Sequence, residues 1–129
     1  MKYRCLIRKK EVPATPEEKV RQALLALMID KLGYPASGFI VERCLSSFGG
    51  PQRRLDILFY EKGIPLVLIE CKREKINEEA KLQALGYNHF VKAKTVIIAA
   101  WGEVERLVIS DKGLKWVSDF PQYTPSHPQ

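Results

Sequence analysis

Cysteine, histidine and long apolar runs are all scarce in this sequence, and each scarcity removes a class of protein. Cys5, Cys44 and Cys71 are an odd set with no CxxC spacing, and only two histidines accompany them. Neither a disulfide framework nor a structural zinc site is expected from that pattern. No apolar run approaches the ~18 residues of a membrane span, and residues 1–10 hold no apolar stretch long enough for a signal peptide. The expectation is a cytoplasmic protein with no membrane partner. A phosphate loop of the form GxxxxGKS or GxxxxGKT is also missing, and 129 residues leave no length for a motor. ATP-driven translocation is therefore not expected of this chain.

What is present is an ordinary globular composition, 46% hydrophobic and 28% charged, in a length suited to one domain. That domain is expected over residues 1–118, followed by a Pro-rich tail, 119–129, carrying Pro121, Pro125 and Pro128 and read as extended or disordered. Twenty-one Lys and Arg against fifteen Asp and Glu give a net charge of +6, compatible with a polyanionic partner.

Residues 1–13 are basic and weakly patterned, an arm or a short strand. Thr15-Pro16-Glu17-Glu18 then has the form of a helix start, with Thr15 as cap, Pro16 in the first turn and Glu18 closing a capping box. The helix is expected from Pro16 to about Leu32, with Val20, Leu24, Leu27 and Met28 on its apolar face and Ala23 and Leu25 at the margins. Extended segments follow at Phe39–Leu45, Leu55–Tyr60 and Leu66–Lys72, the last two joined by a turn around Gly63 short enough for a hairpin. A second helix is expected over Glu78–Val91, then strands over Thr95–Ala100, Arg106–Ser110 and Gly113–Val117. Cys44 and Cys71 fall within apolar strand patterns, where a thiol behaves as a small hydrophobe.

The chemistry lies in Asp56, thirteen intervening residues, and Glu70-Cys71-Lys72. Strand side chains alternate, so Glu70 and Lys72 share a face while Cys71 points away. If the hairpin pairs the two strands antiparallel, Asp56 can come near Glu70. Two carboxylates form a hard-oxygen site for Mg²⁺, and a lysine beside them can position or deprotonate an attacking water. The triplets Glu17-Glu18-Lys19 and Glu79-Ala80-Lys81 have the same Glu-x-Lys spacing but fall on expected helices, where residues two apart point in different directions. Gln83 and Tyr87 lie one turn apart on the second helix and can face back toward the Glu70–Lys72 strand end. A salt-bridged strand end, a solvated Gln83, a Tyr87 in the core and a Glu18 serving only the capping box are the structural alternatives.

Four ordered segments together resemble a known family. They are Pro16-Glu17-Glu18-Lys19-Val20-Arg21-Gln22, Arg53-Arg54-Leu55-Asp56-Ile57-Leu58, Leu68-Ile69-Glu70-Cys71-Lys72 and Gln83-Ala84-Leu85-Gly86-Tyr87-Asn88. In that order they resemble the N-terminal nuclease domain of type I restriction enzyme R subunits, a branch of the PD-(D/E)XK nuclease superfamily. The resemblance spans about residues 14–101, with Leu55 in place of the proline of the superfamily name. It implies an α/β fold, a restriction-endonuclease-like αβββαβ core with a central mixed sheet flanked by helices, and Mg²⁺- or Mn²⁺-dependent cleavage of DNA.

On that resemblance Asp56, Glu70 and Lys72 match the catalytic signature, Glu18 the helical acid that completes the metal shell with Asp56 and Glu70, and Gln83 with Tyr87 the Q-x-x-x-Y motif. Arg53, Arg54 and Lys75 are candidate phosphate contacts. One small chain presents one site, so cutting both strands requires a homodimer, partner subunits of a restriction or repair complex, or two encounters. The alternative reading is a nucleic-acid-binding or assembly module that keeps the fold and does not cut.

Overall fold

The computed structural model of the chain describes residues 2–4, 11–13, 15–120 and 122–123. Its centre is a six-stranded mixed sheet in the order β3-β4-β5-β6-β7-β8, built from β3 (Phe39–Val41), β4 (Ile57–Glu61), β5 (Ile64–Cys71), β6 (Thr95–Ala100), β7 (Glu103–Ser110) and β8 (Gly113–Val117). Only β5 and β6 run parallel, joined by the crossover helix α2 (Glu78–Val91). The other neighbours are antiparallel. A separate two-stranded ribbon pairs β1 (Lys2–Arg4) with β2 (Glu11–Pro13), which places paired strands in the basic N-terminal stretch. The succession α1 (Pro16–Asp30), β3, β4, β5, α2, β6 is the expected αβββαβ core, with β7 and β8 continuing the sheet.

Helix α1 (Pro16–Asp30) starts as its sequence requires, with Thr15 Oγ1 accepting from the Glu18 N–H at 3.1 Å. It covers one face of the sheet. Val20, Leu24, Leu25 and Met28 pack there with Ile57, Phe59, Val67, Ile69, Cys71, Ile97 and Ala99. Leu25 is completely buried while Leu27 is 36% exposed, so the expected apolar face is rotated toward Leu25. The opposite face is covered by α2 and the segment before β4: Leu45, Leu55, Leu58, Leu68 and Val91 form one cluster, and Ala84, Val96, Ile98 and Leu107 another. Because both faces are covered, the central strands are apolar at nearly every position instead of alternating. Leu55 accordingly packs on the face of Leu58, not with Ile57 and Phe59 as strict alternation from residue 55 would place it. No helix among the described residues is long and apolar enough to cross a membrane.

The expected bounds shift at β4 (Ile57–Glu61), β5 (Ile64–Cys71) and β7 (Glu103–Ser110), and two further segments differ more deeply. The strand read over Phe39–Leu45 stops at Val41, because Glu42 takes a left-handed backbone conformation (φ 58°) that no strand continues through. Past the break, Cys44 makes a single bridge to Arg54 and Leu45–Phe48 form a 3₁₀ turn. Cys44 is consequently half-buried in a loop and not the strand-core thiol expected, whereas Cys71 is buried. Cys5 lies outside the described residues.

The tail, read as extended or disordered, docks at its start. Asp119 pairs with Arg106 Nη2 at 2.7 Å, the Tyr123 N–H donates to the Leu32 carbonyl at 3.0 Å, and Phe120 and Tyr123 pack against the α1-side core. The Tyr123 hydroxyl also hydrogen-bonds to Glu61. Phe120 and Tyr123 supply the anchors of this otherwise Pro-rich and polar segment, and the ring of Tyr123 sits 5.1 Å from that of Tyr34. Gln122 Nε2 also donates to the Leu32 carbonyl at 2.7 Å, while Pro121 and residues 124–129 lie outside the described residues.

Candidate active site

The site forms where β4 begins and β5 ends. The β4–β5 hairpin turns through Lys62-Gly63, both with positive φ (54° and 76°), a conformation of the type I′ turn that matches strand twist. From this turn Glu61 pairs with Ile64 and Tyr60 with Pro65, but Phe59 then pairs with Val67, leaving Leu66 as an extra residue on β5. Pro65 has no N–H to donate, which suits a break in the ladder at this point. Beyond this irregularity Ile57 faces Ile69, so Asp56 comes opposite Glu70.

Asp56 and Glu70 are bound to each other's strands. The Asp56 N–H donates to Glu70 Oε2 at 3.0 Å, and the Cys71 N–H donates to Asp56 Oδ2 at 2.7 Å. Glu70 is only 5% exposed. Burial pushes its carboxyl up to about 8, with the charge of Asp56 adding to the effect. Burial also raises Asp56, against the lowering effects of the Cys71 N–H and the nearby Arg21 and Lys72 charges.

Lys72 follows the last residue of β5, and its N–H donates to the Ala99 carbonyl at 2.8 Å, holding the backbone against β6. Its ammonium donates to Gln83 Oε1 at 2.8 Å. Gln83 is thereby brought to the site, reaching it from α2, whose start is fixed by Asn77 accepting from the Ala80 N–H at 2.8 Å. Tyr87, one turn on, packs against the cluster of Leu45, Leu55, Leu58 and Leu68. Its hydroxyl is raised chiefly by burial, and it lies within range of the charges of Arg53, Glu70 and Asp56.

Glu18 takes another position. Its Oε2 accepts from Gln22 Nε2 at 2.7 Å and lies 3.8 Å from Arg21 Nε, while Arg21 Nη2 is 3.5 Å from Asp56 Oδ1. The guanidinium thus bridges the helical acid and the strand acid. Among the described residues no three His, Cys, Asp or Glu side chains are gathered as a metal-binding group, so the expected set of Asp56, Glu70 and Glu18 is not assembled as three ligands. The reason is Arg21, which also reaches Glu42 Oε1 at 3.4 Å and is itself 6% exposed. Arg21 is not among the residues that the sequence motifs mark for the site. The available signal was its place three residues after Glu18, next to Val20 and within the buried stripe of α1.

The expected DNA contacts separate. Arg54 is exposed and 3.7 Å from Glu42 Oε2. Arg53 is exposed on the segment leading into Asp56, where its carbonyl accepts from the Leu45 N–H at 2.6 Å. Lys75 is exposed on the loop between β5 and α2, beside a polar cleft lined by Lys72, Arg73, Asn77 and Gln83.

Asp56 and Glu70 fit a hard divalent cation. They offer carboxylate oxygens from adjacent strands, and burial disfavours the charge that each would carry alone. A bound 2+ ion would reverse that penalty.

The family described as Type I restriction enzyme R protein N terminus matches residues 16–118. No curated protein and no solved structure matches the chain.

Proposed function

From the premise that the chain belongs to the type I restriction enzyme R protein N-terminal family, we propose that it is a Mg²⁺- or Mn²⁺-dependent endonuclease that hydrolyses DNA phosphodiester bonds. The observation that carries this reading is the meeting of Asp56, Glu70 and Lys72 at one strand end, with Lys72 anchored by Gln83. Asp56 and Glu70 would hold the ion, which when bound supplies charge neutralisation and an acidified water.

The protein's own groups do the rest. Lys72, held by Gln83, is placed to orient the attacking water and to offset negative charge growing on the phosphate in the transition state. Arg21 keeps the Asp56 carboxylate in place and links it to Glu18, giving Glu18 an indirect part. Arg53, Arg54 and Lys75 would meet backbone phosphates around the centre. DNA is the expected partner, and cutting of both strands would require a second copy or partner subunits.

The test is purified protein with Mg²⁺ or Mn²⁺ on supercoiled, linear, single-stranded and branched DNA, beside the Glu70→Gln variant. Metal-dependent nicking by the wild type and none by the variant supports the reading. Shifted DNA mobility without cleavage on any substrate favours the non-cutting binding module instead.

A further inference from the structure

The same end of the sheet carries a large aromatic side chain left in solvent. β6 runs parallel to β5 with Cys71 opposite Ala99, so both strands end at the rim of the acidic site. The turn Trp101-Gly102 then carries the chain from β6 into β7. Gly102 supplies the left-handed residue of this turn (φ 78°), so the turn itself makes no demand for an indole beside it. Trp101 is nevertheless there, 64% exposed. Lys19 Nζ lies 4.7 Å from its ring centroid, and Arg73, just past β5, reaches Glu17 at 3.9 Å. Alongside is an open groove of about 490 Å³ whose walls include Val20, Leu24, Leu27 and Phe120.

We propose that Trp101 is a stacking platform for an unpaired nucleobase of the DNA bound at the Asp56–Glu70–Lys72 centre, with Lys19 meeting the phosphate of the stacked nucleotide. This rests on the nuclease reading and narrows its substrate to DNA with a single-stranded or frayed segment. A base inside a duplex has both faces covered by its neighbours, whereas an unstacked base can lay one face on an exposed indole. Continuity with the adjoining centre, which takes DNA on the nuclease reading, argues for nucleic acid over an apolar peptide as the occupant. Lys19 at the indole and Lys72 and Lys75 in the neighbouring cleft are cations that can meet its phosphates in a chain of net charge +6, whereas Arg73 is engaged by Glu17, and Glu74, Glu79 and Glu103 line the same walls.

The experiment measures binding in EDTA, where cleavage does not interfere, using a fluorescein-labelled single-stranded 12-mer and a blunt, G·C-ended two-strand duplex with no unpaired base. Trp101→Ala is expected to weaken single-strand binding by about 5- to 100-fold, Trp101→Phe to recover most of it, and duplex affinity to change less than about twofold. In a Trp116→Phe background, the single strand should quench the remaining indole. Unchanged single-strand affinity in Trp101→Ala, or equal losses on both DNAs, overturns the proposal. Cleavage by the wild type, measured in parallel with Mn²⁺, separates the two levels. Cleavage with an indifferent Trp101 removes only the stacking platform, while no cleavage and no affinity for either DNA removes the nuclease reading with it.

Discussion

Asp56 and Glu70 are tied together through main chain as well as charge: the Asp56 N–H binds the Glu70 carboxylate at 3.0 Å, and the N–H after Glu70, that of Cys71, binds the Asp56 carboxylate at 2.7 Å. Two acids that would repel are held by the strand backbones in one geometry. Main-chain donors fix one oxygen of each carboxylate, and the buried Arg21 adds a side-chain partner on Asp56 Oδ1, the kind of pre-arranged geometry a site for a compact divalent ion requires.

The first prediction concerns pH. Glu70 in the folded protein titrates at about 8 against 4.5 for an ordinary glutamate, so between those values the native state holds a proton that the unfolded state has lost. Stability therefore falls as pH rises through that window. In EDTA the wild-type melting temperature is expected to drop from pH 5 to pH 8. Glu70→Gln should flatten that slope and melt above the wild type at pH 8. Millimolar Mn²⁺ should raise the wild type at pH 8, by about 2.7 kcal/mol when the ion is at 100 times its dissociation constant, and leave the variant unmoved. A wild type whose melting temperature is level across this range, or a variant that melts lower at pH 8, contradicts the buried-acid site.

Lys72 and Gln83 make the second. Lys72→Met should lower the cleavage rate by about 10²–10³-fold, the scale for losing one group that stabilises developing charge. Gln83→Ala should cost less, since it removes only the anchor. Metal-induced stabilisation should survive in both, because neither residue is a ligand. Equal cleavage rates in the wild type and Lys72→Met under single-turnover conditions would exclude the assigned role.

Arg21 is a buried cation set among Glu18, Glu42 and Asp56. Arg21→Leu leaves those carboxylates without their shared counter-charge, and the expected loss is about 3–5 kcal/mol in metal-free urea unfolding. Mn²⁺ should return part of that loss by neutralising Asp56. A loss below about 1 kcal/mol would show that Arg21 does not hold the acids together.

The exposed arginines give a prediction in salt. The logarithm of DNA affinity should fall linearly with the logarithm of salt concentration, and Arg53→Ala, Arg54→Ala or Lys75→Ala should each reduce the slope by about one if that side chain meets a phosphate. Fluorescence anisotropy between 50 and 200 mM salt checks this. A variant that keeps the wild-type slope removes its residue from the DNA contacts.

Several elements were legible from local pattern alone. Helix α2 and strands β6 and β8 occupy the residues expected, since Asn77 caps the helix start and the apolar runs are bounded by turn residues. The segment after β3 was not legible, because the left-handed Glu42 has no local signature. That residue's carboxylate finds Arg21 and Arg54, partners distant in sequence. The burial of Leu25, the exposure of Leu27 and the inward turn of Arg21 were hidden for a related reason. Helical spacing defines a stripe, but the element packed against it decides which edge of the stripe is covered.

Sequence by itself determined the αβββαβ order, the hairpin between β4 and β5, and the shared face of Glu70 and Lys72, because these follow from residue periodicity and turn chemistry over short distances. It also supplied the family. The hairpin allows Asp56 to come near Glu70, but tertiary structure alone decided the register that sets the two opposite each other. Continued without interruption from the Lys62-Gly63 turn, the ladder would set Asp56 opposite Ile69, and the extra residue Leu66 moves it one step to Glu70. A shift of one residue exchanges the two faces of a strand, so this single irregularity separates a paired-carboxylate site from two unrelated acids.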